Sequence, residues 1–234
     1  MRLLDFYAPP RCPVCDRELP GTAVCCRDCY SVLLKDAITG ANRCGHCYHP
    51  SGDGKCGFCG ERNVFFDQHM SLFRLSVGWN RVLHRWKFEN DRGLFRIFLP
   101  SLKRLLDRIE RLDIRRIGYI DSGRAGFEVR AYNPCRDIAG FLAAELGLEW
   151  GGDLKKKPMY RQSGRGYAER FIQIKNSFEA VKRFDAGECP AYLLVEDVFT
   201  TGATANEAAR TLKMNGAKSV YILSMLQREE LDFS

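Results

Sequence analysis

The sequence predicts an α/β fold, a parallel sheet flanked by helices, preceded by a small cysteine-rich module. Three observations carry this prediction. Four Cys-x2-Cys pairs crowd the stretch from Cys12 to Cys59. From Arg116 onward, short apolar runs alternate with amphipathic ones, the pattern of parallel strands joined by helices. The apolar run at 191–195 ends in two acids and a hydroxyl-rich loop.

Nine of the eleven cysteines lie between Cys12 and Cys59; only Cys135 and Cys189 fall outside. The spacing is Cys12-x2-Cys15, ten residues, Cys26-x2-Cys29, then Cys44-x2-Cys47, eight residues, Cys56-x2-Cys59. Each pair fits a tight knuckle that aims two sulfurs at one metal, and two knuckles complete a tetrahedron suited to Zn²⁺. Gly45, Gly57 and Gly60 help the backbone turn. Cys25 competes with Cys26 as a ligand, but Cys25 would break the two-residue gap to Cys29. The expected ligands are therefore Cys12, Cys15, Cys26 and Cys29, with Cys44, Cys47, Cys56 and Cys59. The spacing leaves open whether the sites close in chain order or interleave. A disulfide scaffold calls for a secreted chain, redox Cys-x-x-C motifs are not repeated four times, and iron–sulfur spacings differ. Four thiolates leave no open position, so two structural Zn²⁺ ions are expected. A segment of about sixty residues with few large apolar groups needs such a staple. His46 and His49 read as surface residues beside the second site.

After Gly60 cysteines give way to aromatics, Phe65, Phe66, Phe73, Trp79, Trp86 and Phe88. A strand is expected over 69–77. A helix follows over 79–88, with Trp79, Val82, Leu83 and Trp86 on one face. That spacing reads as core, although aromatics interleaved with basic residues also mark single-strand nucleic-acid binding. Arg81, Arg85, Lys87 and Arg92 are expected to face solvent and line a groove. A longer helix is expected over 94–112, kinked or broken at Pro100.

A strand at 117–120 precedes Asn133, an N-cap residue, and Pro134, suited to the first helical position. The helix runs to Leu146 and buries Ile138, Phe141, Leu142 and Leu146. Strands at 191–195 and 220–223 flank a helix over 205–215 that Gly216 stops. The organisation reads as 1–62, a double zinc-ribbon domain; 63–115, a basic aromatic connecting strand and helices belonging with the C-terminal domain; and 116–234, the α/β domain.

The sharpest signal is Tyr192-Leu193-Leu194-Val195-Glu196-Asp197-Val198-Phe199-Thr200-Thr201-Gly202-Ala203-Thr204. Ligands of open α/β sheets bind past the carboxyl ends of strands. A helix N-terminus there suits a phosphate monoester. Thr200, Thr201 and Thr204 add hydroxyl donors, and Gly202 and Ala203 allow close approach. Thr204 and Glu207 have capping-box spacing. Glu196 and Asp197 are acceptors matched to two vicinal hydroxyls. Phosphate and diol together describe a ribose 5-phosphate. No Walker A loop exists, and Gly164-Arg165-Gly166 is too little for a dinucleotide fingerprint.

The formal charge is +7 in 234 residues, but two tetrathiolate zinc centres of about −2 each would bring it nearer +3. Twelve Lys or Arg against five Asp or Glu lie between Arg74 and Arg116. That run reads first as a solvated helical face and second as a phosphate-backbone surface. No transmembrane run fits, and Asp5 interrupts any leader, so the expected location is cytoplasmic.

At residues 192–204 the sequence resembles the type I phosphoribosyltransferases, whose motif is four apolar residues, two acids, two apolar residues and a Thr/Gly-rich loop. With the cysteine module in front, nearly the whole chain resembles the ComF family of competence proteins. Lys87-Phe88 looks like the family's Leu-Lys-Tyr region, and Arg130-Ala131-Tyr132-Asn133 like its Arg-Gly-Phe-Asn. Gln162, Arg170, Asn176 and Phe178 match a further stretch, and 161–174 resembles the family's mobile loop. The resemblance implies a phosphoribosyltransferase-type parallel sheet that binds phosphoribosyl pyrophosphate (PRPP), with Mg²⁺ as its companion. It also implies a link to uptake of transforming DNA, with single-stranded DNA and a DNA-uptake helicase as partners. Glu196 and Asp197 would stabilise a cationic transition state in a transferase. The alternative is a non-catalytic DNA-binding or adaptor protein that uses the fold only to hold a phosphorylated ligand. The chain departs from the family where Pro-Val-Pro is replaced by Ile120-Asp121-Ser122, and where Ala131 and Pro134 replace Gly and Gln. Gly123 and Arg124 remain to hold pyrophosphate there, but Asp121 would repel it. These departures favour binding over turnover.

Overall fold

The computed structural model describes residues 9–39, 42–51, 56–60, 63–89, 91–121, 132–157, 174–184 and 191–229. Two short helices mark the cysteine module: α1 (Arg27–Leu33) and α2 (Gly57–Gly60). The sheet is built from β1 (Gln68–Arg74), β2 (Arg116–Tyr119), β3 (Glu149–Gly151), β6 (Ala191–Phe199) and β7 (Ser219–Gln227). The helices α3 (Val77–Phe88), α4 (Leu99–Glu110), α5 (Pro134–Leu146) and α6 (Ala203–Met214) pack around it. A separate antiparallel pair, β4 (Leu154–Lys156) and β5 (Phe178–Ala180), stands beside the sheet.

The strand order is β1-β7-β6-β2-β3, and every neighbouring pair is parallel. From β2 the chain crosses through α5 outward to β3. From β6 it crosses through α6 in the opposite direction to β7. The two crossovers diverge between β2 and β6, which makes that crevice the topological switch point.

Strand β6 is buried on both faces, as the central strand of a parallel sheet must be. Leu193 and Val195 join a core with α3, α4 and α5, while Tyr192 and Leu194 join a second core with α6. The strands at 191–195 and 220–223 are longer than expected. They pair in unbroken register from Ala191 with Ser219 to Phe199 with Gln227. Both acids therefore lie within the last turns of a paired strand, not beyond it.

The helix ends follow their chemistry. The Asn133 side chain accepts from Cys135 N at 3.0 Å, Pro134 occupies the first turn of α5, and Gly147 ends it at φ 64°. Ser76 caps α3 by accepting from Trp79 N. Pro100 does not kink one long helix over 94–112. A 3-10 segment, Arg92–Ile97, comes first, and Pro100 then opens α4 from its first turn, where a missing N–H costs nothing. Phe141 and Leu146 are only half-buried, whereas Ile138 and Leu142 are fully buried. Among the described residues, no helix is long and apolar enough to cross a membrane.

One close approach fixes the β2–β6 pairing. A Cβ on Gly118 would lie 1.8 Å from the Tyr192 hydroxyl oxygen. That hydroxyl donates to Asp153 Oδ2 at 2.8 Å, and Asp153 also receives Arg116 Nε at 2.6 Å and Nη2 at 2.9 Å. Burial would raise the Asp153 carboxyl, but Arg116 and Tyr192 hold it below its ordinary value. Gly118→Ala must push the tyrosine off this network. It should cost about 1–3 kcal/mol, read as a lower urea midpoint.

Candidate functional site

The cysteines close in chain order. Sulfurs of Cys12, Cys15, Cys26 and Cys29 all lie within 4.8 Å of one another, and so do those of Cys44, Cys47, Cys56 and Cys59. Tetrahedral Zn–S bonds of about 2.3 Å give sulfur–sulfur edges of about 3.8 Å. Cys15 and Cys26 stand 3.8 Å apart, and Cys47 and Cys56 3.4 Å. Both clusters can therefore hold a zinc ion. Burial pushes the Cys12 thiol up, but the backbone N–H groups of Cys26, Cys15 and Val14 outweigh it and bring Cys12 down to about 6. Cys44 is lowered in the same way, against its own burial, by Cys47 and His46 backbone donors. Such donors favour thiolates. Cys25 reaches Cys12 at 3.7 Å but stays outside the four-sulfur group.

The first knuckle is docked by arginines. Arg81 Nη1 donates to Val14 O at 2.6 Å, Arg85 Nη1 to Arg11 O at 3.3 Å and Cys12 O at 3.4 Å, and Arg96 Nη2 to Thr22 O at 2.8 Å. Arg74 reaches Lys35 O at 3.2 Å. Arg81 keeps the exposure expected of it and Arg85 is half-buried, yet both, with the exposed Arg74 and Arg96, also fasten the cysteine module to the sheet domain. The reason lies in the fold: the knuckle's carbonyls lie within reach of Arg81 and Arg85 on α3, which meet carbonyls as well as water.

The second knuckle docks through a buried histidine. His69 Nδ1 donates to Cys47 O at 2.8 Å, and its Nε2 lies 2.8 Å from Ser224 Oγ. Burial lowers His69 to about 3, so the ring is neutral. It stacks on Phe199 at 3.9 Å and 14°. Gln227 Nε2 also donates to Cys47 O. His49, expected at the surface, is buried, with Nε2 3.2 Å from Arg228 O, while His46 is exposed. Neither belongs to a four-sulfur group.

The carboxyl end of β6 forms the third site, at the switch point. Glu196 is only 5% exposed, and its Oε1 has no hydrogen-bond partner among the described residues. Burial, and then the neighbouring Asp197, push its carboxyl well above the ordinary value of 4.5. Asp197 Oδ1 accepts from Val198 N at 2.7 Å, and Oδ2 is ion-paired with Lys87 Nζ. Lys87 therefore departs from its expected solvent-facing place: it reaches over from the end of α3 and covers one acid. Two observations could have suggested it. Lys87 follows the buried Trp86, and it falls in the stretch that resembles a family motif.

Beyond the acids, Gly202 adopts φ 69° and serves as the N-cap of α6. A Cβ there would lie 2.4 Å from the Phe199 ring, so both conformation and space demand glycine. The expected capping box does not form. Thr204 lies within the first turn of α6, and Glu207 instead accepts from Asn176 N at 2.7 Å and pairs with Arg210 at 2.6 Å. Because Gly202 takes the cap position, no side chain caps the helix. Ala203 N donates to Thr201 Oγ1 at 3.4 Å, and the other first-turn N–H groups of a helix start of this kind suit an anion. Thr201 and Ala203 are buried, Thr200 and Thr204 half-buried. Asn176 and Phe178 sit at the foot of β5, where Arg210 Nη2 donates to Asn176 Oδ1 at 2.9 Å. Ser122, Gly123, Arg124, Arg130, Ala131, Gln162, Arg170, Cys189 and the loop over 161–173 lie outside the described residues. So do Gly164, Arg165 and Gly166.

The strand order, the paired acids and the hydroxyl loop opening a helix define a phosphoribosyltransferase-type fold behind two four-cysteine clusters. The particular resemblance is to competence proteins. The chain is 24% identical over 209 residues to competence protein ComFC of Streptococcus pneumoniae, covering 86% of this chain and 87% of that one. It is 25% identical over 192 residues to competence protein F of Haemophilus influenzae, covering 71% and 82%. The chain thus resembles the ComF family over most of its length. No family model matches it. Among solved structures, an adenine phosphoribosyltransferase aligns at 19% identity and TM-score 0.38, covering 62% of this chain and 74% of that one. A purine phosphoribosyltransferase from Pyrococcus horikoshii aligns at 13% and 0.36, covering 69% and 89%. The fold class rests on the strand order and crossovers rather than on these scores.

Two expectations follow. Metal analysis of the purified protein should return about two zinc ions per chain. Cys26→Ser should lose one ion while Cys25→Ser keeps both. The buried Glu196 carries a sign. Its folded form keeps a proton that the unfolded chain releases above 4.5, so its contribution to stability falls as pH rises. Glu196→Gln should therefore melt higher than the wild type at alkaline pH, with the gap closing as pH approaches 4.5.

Proposed function

We propose that the chain binds PRPP, or a related ribose 5-phosphate, at the carboxyl end of β6. The observation that carries this reading is the position of Glu196 and Asp197. They end the central strand at the switch point, one short loop before the uncapped N-terminus of α6. In this reading the loop from Thr200 to Thr204, with Thr201, Gly202 and Ala203, takes the 5-phosphate. Helix donors and threonine hydroxyls serve as its partners. The two acids take the ribose hydroxyls. The eight clustered cysteines hold two structural zinc ions, which fix the module over the sheet.

Binding is favoured over turnover. Asp121 is an exposed carboxylate at the end of β2, where a transferase must hold pyrophosphate. The competence relatives support a role in uptake or processing of transforming DNA. The second reading, a ligand-sensing adaptor without catalysis, draws on the same Asp121. Direct DNA contact through the basic segment has fewer free cations than the sequence suggested, because Arg74, Arg81, Arg85 and Arg96 are engaged with the cysteine module.

Calorimetric titration of the zinc-loaded protein with PRPP and Mg²⁺ tests the reading. The wild type should give a saturable isotherm. A Glu196→Ala/Asp197→Ala variant should lose about a hundredfold or more, since both diol acceptors are gone. A flat wild-type isotherm would show that the loop is a relic of the fold.

A further inference from the structure

The acids of β6 do not stand bare. Lys87 Nζ meets Asp197 Oδ2, and the two side chains are 14% and 16% exposed. The lysine is not a wandering surface group. It ends a helix whose preceding residue, Trp86, is fully buried and donates through Nε1 to Tyr132 OH at 2.9 Å. Tyr132 in turn donates to Asp137 at 2.6 Å, on α5. The ammonium is thus delivered to the crevice by a fixed element.

The charge at the strand end follows. Asp197 is neutralised by Lys87. Glu196 is enclosed, its Oε1 unpartnered among the described residues, and burial favours its neutral form. The Lys87–Asp197 pair itself therefore carries no net charge. A ribose diol beside a pyrophosphate ordinarily travels as a chelate of a divalent cation. Mg²⁺ holds to phosphates plus one or two carboxylates. Here the carboxylate that would serve such an ion already faces a cation.

We propose that Lys87 is a specificity-determining residue of this site: its ammonium fills the place of a divalent cation, so that the chain takes ribose 5-phosphate ligands free of metal. This rests on the ligand reading given above. A lysine offers a compact charge with three donors, able to hold Asp197 and a ligand phosphate oxygen at once. It also keeps two adjacent acids from repelling a polyphosphate.

The test is the Mg²⁺ dependence of PRPP affinity in the zinc-loaded full chain. Wild type, Lys87→Met and Lys87→Arg are each titrated in Mg²⁺-free buffer and with millimolar Mg²⁺. The wild-type Kd should move by less than about threefold between the two conditions. Lys87→Met should bind about tenfold or more weakly without Mg²⁺ and recover when it is added, because the lost charge is then supplied from solution. Lys87→Arg should behave more like the wild type than Lys87→Met does. A wild type that binds only with Mg²⁺, or a Lys87→Met protein that binds as well as wild type without it, overturns the proposal and leaves the ligand reading intact. A wild type that binds under neither condition overturns both. Should Lys87→Met fail to fold, shown by loss of zinc and of its circular dichroism, the wild-type and Lys87→Arg series still decide.

Discussion

Trp79 and Trp86 point inward from α3 and stack on the same ring, Phe98, at 5.0 and 5.1 Å. Phe73 of β1 closes on Trp79 at 4.3 Å. This aromatic knot fixes the rotation of α3, because turning the helix would expose two fully buried indoles. Once the inner face is fixed, so is everything else the helix carries. Arg81 and Arg85 must point up at the first knuckle, and Lys87 must point along the sheet toward Asp197. A single packing decision thereby sets both the seat of the cysteine module and the charge of the crevice.

The second knuckle is joined to the sheet differently. Its carbonyl at Cys47 is held by His69 and Gln227, and His69 lies flat on Phe199, the last residue of β6. Phe199 then leaves no room for a side chain at residue 202. The loop from Thr200 to Thr204 is therefore formed against the edge of a ring that stacks on a histidine bonded to a cysteine knuckle. The two ends of the chain's sequence meet here through contacts that join residues far apart in number.

Much of this was legible in the chain alone. The cysteine spacing named the eight clustered sulfurs, and the two-residue gap chose Cys26 over Cys25. The sequence pattern named four of the five sheet strands and missed the short β3, and Asn133 with Pro134 named the start of α5. Much of what the pattern missed involves partners distant in sequence. The docking bonds of Arg81 and Arg85 and the ion pair of Lys87 gave no signal, because helical periodicity reports one buried face and cannot see a second element beside the other. Glu207 read as a capping partner because its spacing from Thr204 fits, whereas Arg210 and Asn176 claim it in space. His69 gave no signal at all, since a lone histidine in a strand looks the same whether it is core, surface or ligand. Pro100 was seen as a break, but whether a proline ends one helix or begins another depends on the turn before it.

The arginines of the connecting segment meet main-chain carbonyls at Arg11, Cys12, Val14 and Thr22. Every amino acid presents that same acceptor. Positions 11 and 22 can consequently accept new side chains without loosening these bonds, provided the knuckle keeps its backbone path, whereas Val14 also packs against the core. The polar part of the joint is written in the arginines, while Val14, Val24 and Leu33 of the module supply its apolar part. Homologous modules of this kind should look unrelated in their loops and still sit in the same place.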